Sequence, residues 1–409
     1  VGQRLAGVDL LGAGDRNAAL DRLGAAEPGD RDWLLGFGFA RDGAGPPTRA
    51  DLDELDDDRP VAVFSRDMHA VALDSLALEA VEAAFPPGMS ADGRAPDGLL
   101  TWPASSVVWA LIAPRSVSGT REYLELALRE AASTGLTTLH AHIHRSLTAR
   151  ALQEMARAGD LPVRVHLHYD LGTGPLDTGE GGSSLPAPLS GAGHLGIVAG
   201  TGNEYLRIEG VRFDAASPAG GADGWTIDQF RLEGLLEAAS SLGLGARVGT
   251  PRPSAIERAL EAWPDGRPAF DRVGAVPEDL AEDIGERGGS VVLAPDRDEA
   301  VVTSSGRNPS FPTQIAELQT AGVTVGLGSD SLQIDPTATV GDAIEHSDAI
   351  DVSAVLTVGG SWLGTGGSGT LLASDPADLI VLSESPGSAP PAETTVDLTM
   401  VGGRVRQEF

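Results

Sequence analysis

Residues 135–146 read GLTTLHAHIHRS and residues 163–169 read VRVHLHY, so five of the chain's eight histidines fall in two short runs. His140, His142 and His144 are spaced two apart, as are His166 and His168. A β-strand sends successive side chains to opposite faces, so each set shares one face of a strand. Imidazoles gathered this way serve two chemistries: they coordinate a divalent ion, or they carry protons near neutral pH. If the two strands are neighbours, nitrogens of His140, His142 and His166 could share an ion at about 2.1 Å. The other reading is polar filling of a barrel interior, with some imidazoles meeting solvent at the strand ends. Both stand on the sequence alone. The chain has no cysteine, which excludes disulfides, thiolate metal sites and cysteine nucleophiles. GSDS lacks the flanking glycines of a nucleophile elbow, so no serine triad is indicated.

The elements that must position these histidines can be traced from about 135 to 330. Short apolar runs, GLTTLHAHIH, PVRVHLHY, EYLRIEGVRF, LGARVGT, FDRVGAV, GSVVLAP and GVTVGLGSD, alternate with helix-like stretches such as TARALQEMARAG and PSAIERALEAW. Alternating β and α segments imply a parallel sheet with crossover helices. Seven strands are one short of a closed eight-stranded barrel, and no glycine-rich dinucleotide turn follows any of them. Residues 172–203 are rich in Gly, Pro and Ser and read as a long flexible loop over the barrel mouth. In the tail, ADLIVLSE and VDLTMVGGRVRQ read as strands, with VGGR as a hairpin turn.

Composition narrows the partners. The net charge is −30, and all 29 basic residues are arginine. Such a surface repels nucleic acid and anionic membranes, and no apolar run approaches the roughly 20 residues that span a bilayer. It also repels itself unless salt screens it; at about 1 M salt the Debye length falls to about 3 Å. We read a cytoplasmic, halophilic protein whose partner is a small molecule, with a homodimer as the candidate assembly.

The segments RPVAVFSRDMHAVALDSLAL, GLTTLHAHIHRS, AGDLPVRVHLHY, GVTVGLGSDS, GTLLASDPADLIVL and VDLTMVGGRVR follow one another in an order that resembles the amidohydrolase superfamily. The similarity is to its family 3 branch of metal-dependent hydrolases, in versions like those of haloarchaea. The resemblance implies an α/β fold, a TIM (β/α)8 barrel with a small partial β-sandwich formed near the termini. It divides the chain into 1–130, the start of the barrel with an inserted lid subdomain; 131–365, the main barrel; and 366–409, the C-terminal sandwich strands. It also implies hydrolysis of C–N bonds in amide-like substrates by water held on one or two divalent metals, zinc first among them.

The family's ligands are a His-x-His on strand 1, a carboxylated Lys on strand 4, one His each on strands 5 and 6, and an Asp on strand 8 that is also the base. Carried over, Asp330 fills the strand-8 position as ligand and catalytic base. Arg212 replaces the lysine; it cannot be carboxylated and would repel a metal. Gly249 and Gly274 stand near the strand-5 and strand-6 histidines, and the His-x-His would fall upstream of Val1. Arg212 is expected to pair with Asp330 or else to face solvent, and Asp214 is an alternative match for the family's strand-4 aspartate. His69 is a candidate substrate contact, as is Arg212, while Asp74 replaces the usual Asn. His194 is assigned to a loop and His346 to a helix, both at the surface. Two functions follow: a C–N hydrolase whose metal ligands lie upstream or are rebuilt from His140, His142 and His166, or a metal-free relative that binds a small molecule or a protein.

Overall fold

In this computed structural model the described residues are 1–26, 32–39, 45–55, 58–66, 68, 70–85, 97–101, 104–171, 187–214, 229–250, 252–264, 266–293, 311–328, 371–373, 375–384 and 394–408. His69, Asp330 and His346 lie outside them. The chain forms two units, one built on Val1–Ala127 and the other on Leu128–Asp330 with Asp335–Phe409.

The first unit carries a five-stranded sheet: β1 (Val8–Asp9), β2 (Leu34–Phe39), β3 (Val61–Ser65), β4 (Ala70–Leu73) and β5 (Leu99–Thr101), in that spatial order. β1, β2 and β3 are parallel, and β3, β4 and β5 are antiparallel. Every residue of β2, β3 and β4 is buried, which suits their near-continuous apolar sequences. Asp74 has a structural task here. Its carboxylate accepts from Ala77 N at 2.7 Å, capping helix Ser75–Ala84, and from Val61 N at 3.0 Å.

The second unit holds β6 (Thr138–Ile143), β7 (Arg164–Asp170), β8 (Thr201–Gly202), β9 (Leu206–Asp214), β10 (Gly245–Gly249), β11 (Ala269–Val273), β12 (Ser290–Leu293) and β13 (Thr324–Leu327). The parallel order is β13-β12-β11-β10-β9-β7-β6, with β8 antiparallel against β9. These seven parallel strands are the seven apolar runs of the sequence. One face packs on helices: Val211, Phe213, Val248, Phe270 and Leu293 join Leu236, Ile256, Ile284 and Leu318 in one buried cluster. Helix Ser146–Ala158 turns Ala149, Leu152 and Met155 inward and ends at Gly159, whose φ of +79° places it in the left-handed conformation common after a helix.

The sheet is curled. β6 and β11 are four strand spacings apart, roughly 19 Å in a flat sheet, yet His142 Nε2 lies 3.3 Å from Asp271 Oδ2. Side chains on the concave face therefore meet across the interior.

Three further strands, β14 (Leu379–Leu382), β15 (Val396–Val401) and β16 (Arg404–Glu408), form an antiparallel sheet. The β15–β16 turn is Gly402-Gly403, with φ of +59° and +71°; two successive positive φ values are what a tight hairpin turn needs and glycine gives freely. Arg164 at the start of β7 clamps Asp378, Nε to Oδ2 at 2.6 Å and Nη2 to Oδ1 at 3.0 Å, so this sheet is tied to the base of the curled one. Within 172–203, helix Ala187–Leu195 and strand β8 correct the reading of one continuous loop, and His194 lies on that helix, exposed. Among the described residues no helix is long and apolar enough to cross a membrane.

Candidate functional site

The concave face is polar because the strands alternate. In β7, Val165 and Leu167 are buried against the helices, while His166, His168 and Asp170 face inward. β6 pairs with β7 in the register His140↔His166 and His142↔His168. The imidazoles are thus stacked in layers, with ring centroids 5.0 Å apart for His140–His166, 5.8 Å for His140–His168 and 6.0 Å for His142–His168. His144, one step further out, is exposed at the strand end, 3.7 Å from Asp170.

Two bulges add inward side chains that strict alternation would turn away. Between β7 and β9 the register passes from Leu167↔Ile208 to His168↔Gly210, leaving Glu209 as the extra residue. Glu209 accepts from His166 Nδ1 at 2.8 Å. In β11 the register to β12 shifts between Phe270 and Val273. There Arg272 takes a φ of +59°, rare for a non-glycine residue, and the consecutive Asp271 and Arg272 both reach inward-facing partners.

Arg212 on β9 sits at the centre, 2% exposed. Its Nε donates to both oxygens of Asp271 at 3.0 and 2.9 Å, Nη2 to Asp271 Oδ1 at 2.9 Å, and Nη1 to Asp170 Oδ2 at 2.8 Å. Nη2 also lies 2.9 Å from Asp214 Oδ1, which Arg272 Nη1 approaches at 3.1 Å. Burial disfavours the charge on Arg212, but Asp271, Asp214 and Asp170 together raise its pKa well above the usual arginine value. Burial likewise pushes the Asp271 carboxyl up, and Arg212, with His142 and Arg247, overrides this and holds it well below the usual carboxylate range.

The partners of Arg212 are therefore three carboxylates on strands β7, β9 and β11, and it faces the interior rather than solvent. The expected partner Asp330 lies outside the described residues. Asp170, Glu209, Arg247 and Asp271 were missed in the sequence. Asp170 alone carried a signal, since it continues the two-residue spacing of His166 and His168.

This arrangement bears on a cation at the β9–β10 position. A Cβ built on Gly249 would collide with Arg212 Nη2 and lie 2.7 Å from both Arg212 Cζ and Asp214 Oδ1. The guanidinium occupies the space a side chain on residue 249 would enter, so no ligand can reach in from there, and a positive charge already fills the place. A divalent ion does not fit that position. Deeper in, Arg247 Nη2 lies 3.4 Å from His140 Nδ1, placing another cation among the imidazoles. Burial lowers the pKa of His142 to about 4, with Arg212 and Arg247 adding to this against the pull of Asp271. Among the described residues no three His, Asp or Glu side chains are arranged to hold a metal ion.

A curled parallel sheet with helices outside and ionisable side chains gathered within places the chain in the class of (β/α)-barrel-like α/β folds. The chain belongs to the amidohydrolase family, whose profile matches residues 1–407. It is 30% identical over 188 residues to YtcJ of Bacillus subtilis (strain 168), an amidohydrolase by name; the match covers 39% of this chain and 35% of that protein. In fold it is similar to an uncharacterized metal-dependent hydrolase from Pyrococcus horikoshii OT3, with a TM-score of 0.74, 19% identity, and 96% of this chain and 84% of that one covered. It is also similar to the A. niger ochratoxinase, with a TM-score of 0.52, 15% identity, and 73% and 78% covered.

Proposed function

We propose that this chain is a metal-free member of the amidohydrolase family, a (β/α)8-type barrel that binds a small polar molecule at its mouth without hydrolysing it. The carrying observation is the Arg212 cluster: one guanidinium held by Asp170, Asp214 and Asp271, filling the space above Gly249. A fixed guanidinium neutralises the interior carboxylates as a metal would, but offers no open coordination position to activate water. What the mouth retains is recognition, with His144 exposed beside Asp170 and the Asp214–Arg272 pair partly open to solvent.

The second reading keeps the family's C–N hydrolysis, with a divalent ion, zinc first, drawn into the layered imidazoles of His140, His142 and His166, and Asp330 as base. It is supported by the 5.0–6.0 Å spacing of the rings. Elemental analysis of protein purified without chelator separates the two. We expect far less than one equivalent of any transition metal; a stoichiometric ion that leaves when His140 or His142 is replaced by Ala would overturn the metal-free reading.

A further inference from the structure

The C-terminal sheet has two edges, and the sequence treats them differently. β16 carries Arg404, Arg406 and Glu408 within RVRQE. Charges of this kind keep an edge strand from adding a neighbour. β14, the opposite edge, reads LIVL and carries none. Among the described residues it pairs only with β15, so its outer row of N–H and C=O groups points away from the sheet. Ile380 and Val381 are 39% and 45% exposed. Consecutive strand residues point to opposite faces, so this edge is open on both. An uncharged run of β-branched and leucine side chains is well suited to pairing.

We propose that β14 pairs antiparallel with β14 of a second copy of this chain, about a two-fold axis, joining two three-stranded sheets into one of six strands. Charge favours a copy at this place and nowhere near it. A net charge of −30 makes most of the surface repel its like, whereas residues 379–383 are uncharged. Asp378, at the start of the strand, is clamped by Arg164 at 2.6 and 3.0 Å, so two meeting strands do not oppose bare carboxylates there. Whether Ile380 or Val381 lies on the axis, the central cross-strand pairs are apolar on both sides, which is the self-complementarity an isologous contact requires.

The contact is small. Stable interfaces use about 20–30 residues a side. Leu371 and Leu372 extend it: both are exposed, and Leu372 is held just before the strand by its turn to Asp375. Association is therefore reversible, and because it brings two strongly negative chains together it tightens as salt screens them. It is independent of what the barrel mouth binds, since the sheet is tied to the base of the curled strands.

Sedimentation equilibrium of the full chain across micromolar concentrations, in a KCl series, tests it. A monomer–dimer equilibrium that tightens toward molar KCl is expected; a monomer at every concentration and salt overturns the proposal. Val381→Lys places a charge on the open edge and should weaken association about tenfold or more. Val405→Lys, on the guarded edge and at a similar exposure of 48%, should leave it unchanged. Equal effects of the two variants, or none from Val381→Lys, would remove β14 from the contact. Amide exchange of residues 379–382 adds a backbone readout on the wild type alone: it should slow as the dimer forms, and exchange that does not change with concentration overturns the strand pairing even if Val381→Lys fails to fold.

Discussion

Replacing Arg212 with Met keeps most of the buried volume and removes the charge. The side chain is 2% exposed and serves Asp271, at 2% exposure, and Asp170, at 9%. Removing one partner of a buried ion pair costs about 3–5 kcal/mol. One guanidinium here serves three carboxylates, so the upper end, about 5 kcal/mol, is the expected loss at neutral pH. A domain's whole stability is about 5–15 kcal/mol, so the variant should stand near its unfolding limit. The pH dependence is the sharper signature. In the wild type the Asp271 carboxyl is held below its unfolded value, so its contribution is present above about pH 4 and is lost as pH falls through the folded pKa. Without Arg212, burial raises that carboxyl, the folded state binds the extra proton, and the variant gains stability as pH falls from neutral toward about 5. Urea unfolding followed by circular dichroism in molar KCl, from about pH 2 to 8, covers both ranges. A loss below about 1 kcal/mol at pH 7, or a variant whose stability relative to the wild type does not rise as pH falls from about 7 to about 5, would refute the view that Arg212 neutralises this interior.

Gly249→Ala should cost about 1–3 kcal/mol by overpacking against Arg212 Cζ and Asp214 Oδ1, and most of that cost should vanish in combination with Arg212→Met; additive losses in a double-mutant cycle count against the shared space. Asp74→Ala removes a helix cap and strands the Val61 N–H, so about 2–3 kcal/mol should be lost in denaturant unfolding, whereas an effect under about 0.5 kcal/mol would make the contact incidental. With a net charge of −30 and no lysine, the melting temperature should climb steeply with KCl. A flat curve from low to molar salt would remove the halophilic reading.

The parallel strands were legible because each is a short apolar run closed by turn residues and followed by a helical pattern. The histidine face was legible for the same reason, as period two survives through His166, His168 and Asp170. What hid the rest was local. The bulges at Glu209 and Arg272 break the period, so a reader counting by twos turns those side chains outward. Arg247 is the one charge in GARVG and Asp271 stands beside Arg272 in AFDRV, and strands of five residues are too short to declare a face. Their meaning comes from curvature, which brings β6, β9 and β11 together and has no sequence signature of its own. Helix Ala187–Leu195 escaped because APLSGAGHL has the composition of a loop. The pairing of Arg212 with Asp170 and Asp271 left no trace because both are long-range neighbours.

The interlock of Arg212 with Gly249 also has a historical consequence. A side chain at 249 is tolerated only once the guanidinium at 212 has gone, and the guanidinium can go only if something else answers Asp170, Asp214 and Asp271. Either single change passes through a protein less stable than its parent, so selection for folding alone closes both routes. Descendants of this chain are confined to a neighbourhood in which 212 stays cationic and 249 stays bare. They are free to vary the loops that meet a ligand, but not the pair of positions on which a return to any other interior would have to begin.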